Sequence, residues 1–475
     1  MPDGDDVTTP AAGSVAPAFV PLQRSPHPAE TPFDMPFVPP SGLPDLLPER
    51  SRFNWRRWAG GLFALATVVA VLGSAVYVTV HGPFDAPEEP TASRPLTPTE
   101  SVRAALDLQA QALLSGDEKA WLAVVDPKLP KLQARYRTMF RSLRTLGVSH
   151  FDYLVDSGYA ADDNAVKVDA EITYCFVGDK CGAAGAPDTD GMPVAFHELV
   201  LTPRDGKMLI TSLVSKKSGD WTLLPAPWED SELVAVQGKR VTLLATPGER
   251  KHLKRLLPIA ERAAAVADRF AGLVANPQQR YRIYLAGPRQ WKTWYGGQRG
   301  SWTVAYTQTL VRSTTDVVLN MAELKNEPDL LATTIQHELA HVVTVGGLNQ
   351  SGSGSSGMWL EEGIAEYIGW HPNLATASWR RPSVRDAVHG TDRPESIALH
   401  ALADDADDDE SDAFYGLGHF AASCLAEKYG EKALFTFVRL YLREDSDLDR
   451  ASEEAFSKPF KSVDNACLTW IRDRA

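Results

Sequence analysis

The sequence predicts an α+β chain in three folded parts: a membrane-spanning helix, a unit of helices followed by an antiparallel sheet, and a mostly helical unit around a small sheet. Three observations predict it. Residues 58–80 form an apolar run without a single charge. At Gly147 the apolar spacing switches from a helical period to strict alternation. From Pro328 onward the chain reads as nearly all helical.

The 475 residues leave room for two or three domains, and 44% hydrophobic with 23% charged residues is an ordinary globular composition. A net charge of −13 argues against a nucleic-acid partner, which needs a basic face. Cys175, Cys181, Cys424 and Cys467 form no paired CxxC zinc pattern. Their grouping fits two local disulfides, Cys175–Cys181 and Cys424–Cys467, in an oxidising compartment, with four buried free thiols as the alternative.

Residues 1–57 read as a Pro-rich, disordered cytoplasmic tail, since such a composition cannot offset its ordering entropy by burial. Residues 58–80 follow as the transmembrane helix; roughly 23 residues span about 35 Å, enough for the hydrocarbon core. Arg50, Arg52, Arg56 and Arg57 precede this run, while Asp85, Glu88 and Glu89 follow it. That asymmetry sets the N-terminus in the cytoplasm and everything after His81 outside, as a single-pass protein of the cell membrane; a bacterial cell is the expected source. A cleaved signal peptide is the alternative, disfavoured by the length and late start of the run. Residues 81–98 read as a Pro- and Thr-rich linker.

The first globular unit, 99–230, opens with an amphipathic helix (Val102, Ala105, Leu106, Leu108, Leu113) and continues with helices over 121–125 and 132–146. Alternation then marks strands through Phe151, Tyr153 and Val155, through Val166, Val168, Ala170, Ile172 and Tyr174, and over 196–201 and 208–214. Helices followed by a curved sheet, with the stretch LLSGDEKAWLAVVDP at 113–127, resemble the nuclear-transport-factor-2-like (NTF2-like) cone. The resemblance is architectural and implies a spacer or a module for a protein partner, an enzyme pocket being the alternative.

The second unit, 231–475, begins with strands over 233–236 and 240–245 and a helix over 249–274 whose face is Leu253, Leu256, Ile259, Ala263 and Val266. A strand over 280–285, a short helix over 291–295 and strands over 303–307 and 317–321 complete its small sheet.

The chemistry concentrates in His337-Glu338-Leu339-Ala340-His341. On a helix, residues four apart share a face, so both imidazoles can bind one ion, and Glu338 can act as base toward a water on it. A chance pair of surface histidines is the alternative. A catalytic zinc takes three protein groups, so a further ligand must come from another segment. The metzincin pattern does not supply it, because Thr344 and Gly347 stand where that pattern needs Gly and His.

Residues 358–370, MWLEEGIAEYIGW, resemble the second helix of gluzincin metallopeptidases, whose W-x-x-E-G-x-A pattern falls on Trp359, Glu362, Gly363 and Ala365. The resemblance implies a Zn2+ cofactor with Glu362 as third ligand; Glu361, the competitor, points about 100° away. Gly363 is expected to let this helix approach the histidine helix closely. Glu366, one turn on, is placed to accept the outer N–H of a ligand histidine, a solvated helix charge being the alternative. Residues 414–430, FYGLGHFAASCLAEKYG, resemble the later gluzincin helix whose Tyr-x-x-Gly offers a tyrosine to the scissile carbonyl. Tyr415 and Gly418 match it, and His419 is an alternative donor or a core residue.

Residues 317–328 lack the Gly-x-Met-x-Asn signature of aminopeptidases of this type, so specificity for a free N-terminus is not expected. The acidic run 404–412 lacks the spacing of a calcium loop and reads as a solvated surface loop. Taken together, these residues lead to the expectation of a membrane-anchored, extracytoplasmic zinc metallopeptidase acting on a peptide or protein substrate. Zinc-activated water and Glu338 as general base would carry the reaction. A catalytically silent zincin scaffold and a cell-wall amide hydrolase are the alternatives.

Overall fold

The computed structural model describes residues 96–160, 165–179, 181, 192–216, 225–297, 304–311, 314–348, 356–403 and 405–475. Helix α1 (Pro98–Ser115) starts at a capping box: the Glu100 carboxylate accepts from Thr97 N at 2.7 Å while the Thr97 hydroxyl accepts from Glu100 N. Gly116, at φ 81°, ends it by sending its N–H back to Ala112 and Leu113. Helices α2 (Glu118–Ala123) and α3 (Pro130–Leu146) follow.

Strands β1 (Val148–Ala160), β2 (Val166–Phe176), β3 (Val194–Arg204) and β4 (Lys207–Lys216) then form one antiparallel sheet in chain order. Along β3 the residues Ala195, His197, Leu199 and Leu201 are buried in alternation, so one face of the sheet covers the helices. Trp121 lies at the centre of this packing, its ring within 5.8 Å of Tyr136 and 5.9 Å of Phe151, with Nε1 donating to the Tyr136 carbonyl.

After the short helix α4 (Pro227–Asp230), a second sheet is built from β5 (Val234–Gln237), β6 (Val241–Ala245), β7 (Tyr281–Ala286), β8 (Ala305–Val311) and β9 (Thr314–Asn320). Its order is β5-β6-β7-β9-β8; β6, β7 and β9 run parallel, and β8 is an antiparallel edge. Helix α5 (Arg250–Ala271) makes the crossover from β6 to β7. Helix α6 (Pro288–Thr293) follows β7, and α7 (Met321–Leu324) starts where Asn320 caps it, which ends β9 one residue earlier than the sequence predicts. The remaining helices are α8 (Pro328–Thr344), α9 (Met358–Gly369), α10 (Arg381–His389), α11 (Asp408–Tyr429), α12 (Glu431–Val438), α13 (Leu448–Phe456) and α14 (Phe460–Arg474).

The second sheet is buried on both faces, as parallel strands usually are. Leu243, Ile283, Leu285, Val317 and Leu319 pack against Leu256 of α5 and Leu331, Ile335 and Leu339 of α8. Leu244, Tyr284, Tyr306 and Val318 point the other way and join the core of the first unit, together with Trp228 and Trp294. The two units therefore share a continuous hydrophobic core across the boundary near residue 230. A buried ion network crosses it as well: Arg282 donates from Nε to Asp316 at 2.6 Å and from Nη1 to Asp179 at 3.0 Å, and Tyr295 donates to Asp316. Asp179 stands in the short turn closed by the Cys175–Cys181 disulfide, while Cys424–Cys467 ties α11 to α14.

Among the described residues no helix is long and apolar enough to cross a membrane. The longest, α5 and α11, have 22 residues each, but α5 carries Arg250, Lys251, Lys254 and Arg255 and α11 opens on three acidic residues. This corrects the expected fold, which included a membrane-spanning helix, and with it the expected single-pass location in the cell membrane with an extracytoplasmic catalytic half. The apolar run 58–80, the tail 1–57 and the linker through residue 95 lie outside the described residues.

Candidate metal centre

Helix α8 is fixed at both faces before it presents any chemistry. Its apolar face sits on the second sheet. Its C-terminal carbonyls, which have no partner within the helix, are taken by two side chains from elsewhere. Asn276 donates to the carbonyls of Val342, Val343 and Gly346, and Arg443 donates to those of Thr344 and Gly346. Gln336 ties the helix to the end of α9 by donating to the Ile368 and His371 carbonyls. The face opposite the sheet then carries His337 and His341, both buried.

His337 Nε2 and His341 Nε2 lie 3.1 Å apart, and each is 3.3 Å from Glu362 Oε2 of α9. Glu362 Oε2 is buried and takes no well-aligned hydrogen bond, although both imidazoles are within ion-pair range. Three donor atoms thus converge on one point and can hold a metal ion. Burial pulls the pKa of His337 down, but the carboxylates of Glu362 and Glu366 outweigh it and raise it to about 10. Burial pushes the Glu362 carboxyl up, yet His341 and His337 hold it below the usual carboxylate range. Glu361 is half-buried and outside this group.

Glu338 is buried beside the histidines, and its Oε2 accepts a 2.6 Å hydrogen bond from the Thr307 hydroxyl on the edge strand β8. Burial raises its carboxyl pKa against the pull of His341, His337 and Thr307. Glu366 Oε1 lies 3.2 Å from His337 Nδ1, an ion-pair distance at an angle that is not that of a hydrogen bond. Arg380 Nη1 donates to both Glu366 oxygens at 3.4 Å. Burial favours the neutral acid, but Arg380 and His337 hold the Glu366 pKa down to about 2.

Helix α11 brings Tyr415 and His419 to the same region. The Tyr415 ring centroid is 6.2 Å from that of His337, and its buried hydroxyl has no hydrogen-bond partner. Burial pushes its pKa well above the usual phenol value, and the Glu362 charge adds to this. His419, one turn on, is buried with both ring nitrogens unpartnered, and burial holds its pKa down to about 4.

Two sequence expectations change here. Gly363 does not bring α9 to the histidine helix: a Cβ there would lie 2.5 Å from the Gly418 carbonyl oxygen of α11. The close approach to α8 is made at Gly369, where a Cβ would lie 3.2 Å from His337 Cβ. The described part of the acidic run, 405–412, is also more than a solvated loop. Asp407 caps α11, and the buried Asp412 lies 3.4 Å from Arg380 Nε. Thr307 and Arg380 escape a sequence reading because each comes from a segment without a motif.

No protein-family model matches the chain, and no curated protein does. A solved structure described as an NTF-2 like protein of unknown function from Shewanella oneidensis MR-1 is weakly similar: 16% identical, covering 26% of this chain and 100% of that one, with a TM-score of 0.20.

Proposed function

We propose that the chain is a zinc-dependent hydrolase that cuts peptide bonds in a peptide or protein substrate. The observation that carries this reading is the convergence of His337, His341 and Glu362 beside a glutamate held by Thr307. Ligand atoms bound at about 2.0–2.1 Å to a tetrahedral zinc stand about 3.3 Å apart, and the three separations here are 3.1, 3.3 and 3.3 Å. Two imidazole nitrogens and one carboxylate oxygen are a donor set of catalytic zinc sites, which keep one position open. When bound, zinc supplies Lewis acidity that polarises a carbonyl and acidifies water.

The chain's own groups do the rest. Glu338, buried beside the two histidines, is suited to take a proton and return it to a leaving amine. With Oε2 fixed by Thr307, its other oxygen is the one that exchanges the proton. Tyr415 stays protonated at neutral pH and is a donor for charge developing on a carbonyl oxygen. Glu366 backs His337 from the side away from the donor cluster. Residues 99–230 take a supporting role in this reading, since Tyr306, next to Thr307 on β8, packs into their core.

Incubating the protein with a mixture of peptides, with and without a zinc chelator, tests the proposal by mass spectrometry. Cleavage products are expected that vanish with chelator and return with added zinc. A preparation that carries zinc and cuts none of the peptides contradicts it.

A further inference from the structure

Arg380, just before α10, has no solvent exposure at all. A guanidinium out of water persists only where it is paired, and its neighbours are specific. Nη1 reaches both oxygens of Glu366 and Nε lies 3.4 Å from Asp412 Oδ1. Its guanidinium carbon stands 4.1 Å from the Trp379 ring centroid and 5.1 Å from that of Tyr415. Space for it is kept by Gly416 on α11, where a Cβ would be 3.2 Å from Arg380 Cβ and 2.5 Å from Val384 Cγ2.

An ion pair serving stability alone would be met by Asp412. Arg380 instead links α9 and α11 where two parts of the site meet. Glu366, on one side, is 3.2 Å from His337 Nδ1. Tyr415, on the other, lies against both the guanidinium and the His337 ring. A lysine carries the same charge but no planar fork, so it cannot engage two carboxylates and stack on two rings at once.

The geometry points to Arg380 as a positioning residue of the metal centre, which fixes His337 through Glu366 and holds the Tyr415 ring beside it. This rests on the zinc reading above. Partners behind a ligating histidine set its ring orientation, and losing one typically costs about 10–100-fold in metal affinity.

The test is zinc affinity of the full chain, by competition with a chromogenic chelator, for a double-mutant cycle. Arg380→Met and Glu366→Gln are each expected to bind zinc about 10–100-fold more weakly than wild type. Because the two act along one path, the double variant is expected within about threefold of Glu366→Gln alone. Arg380→Lys serves if the methionine variant does not fold. It is expected to melt near the wild-type temperature and still bind zinc at least about threefold more weakly. Wild-type affinity in Arg380→Met or Arg380→Lys overturns the inference, as do losses from Arg380→Met and Glu366→Gln that multiply in full. A wild-type chain that holds no zinc overturns the metal reading instead, so the two failures are told apart.

Discussion

Gly363 and Gly418 pack backbone against backbone: a Cβ on the first would stand 2.5 Å from the carbonyl oxygen of the second, and a Cβ on the second 2.9 Å from Cα of the first. This contact sets the distance between α9, which carries Glu362 and Glu366, and α11, which carries Tyr415. Backbone atoms cannot turn aside as side chains do, so an added methyl must part the helices. Gly418→Ala is expected to cost about 1–3 kcal/mol of stability and to weaken zinc binding. Gly248→Ala, whose Cβ meets only Thr246 Oγ1 at 3.9 Å, is the control and is expected to be near neutral. Thermal melts with zinc titration read both; an unchanged melt for Gly418→Ala refutes the packing argument.

The Thr307 hydroxyl donates to Glu338 and ties the edge strand β8 to the proposed base. Thr307→Val keeps the shape and removes the hydroxyl. Hydrogen bonds to charged groups are worth about 1.5–3 kcal/mol, so kcat is expected to fall about tenfold or more. Zinc content is expected to stay at wild type, and Thr307→Ser to recover most of the rate. Full activity in the valine variant excludes a role for Thr307 in orienting Glu338.

Glu229 is a buried carboxylate of the short helix α4. Burial pushes its pKa up, but His197, the Ala226 amide and the Ser215 hydroxyl outweigh it and hold the group below the usual carboxylate value. A depressed folded pKa gives stability that is fully present above the unfolded value, about 4.3. That stability is lost as pH falls through the folded value. Wild type is therefore expected to lose stability below about pH 4.3 more steeply than Glu229→Gln, which is weaker at neutral pH. Parallel acid limbs for the two proteins count against it.

Much of the metal group was legible because its residues lie in two short contiguous runs. Two histidines at helical spacing can be recognised without any fold, and so can Glu362 within its pattern. Apart from the helix that carries Tyr415, what contacts those runs was not legible. Helical periodicity tells which face of α9 is buried but not which helix covers it, and Gly363 meets α11 rather than α8 for that reason. Thr307, Arg380 and Asp412 belong to residue types that mostly face solvent; only the fold shows them buried around Glu338 and Glu366. The two-unit division was read from the order of the predicted helices and strands, whereas alternate residues of β6, β7 and β9 pack into the first unit's core. The expected membrane span finds no counterpart among the described helices.

The choice between adjacent glutamates is settled by metal content. Glu362→Ala is expected to lose zinc, because two imidazoles do not complete the three-ligand set. Glu361→Ala, outside the donor group, is expected to keep it. The reverse outcome reassigns the third ligand by one residue.

The most direct measurement is peptide turnover by Glu338→Gln in a preparation whose zinc content is determined on the same sample. The substitution keeps the size of the side chain and leaves His337, His341 and Glu362 in place. One zinc per chain is expected, with kcat reduced about 10²–10⁴-fold by loss of the proton carrier. Zinc-loaded Glu338→Gln turning over peptide at the wild-type rate would contradict peptide hydrolysis at this centre.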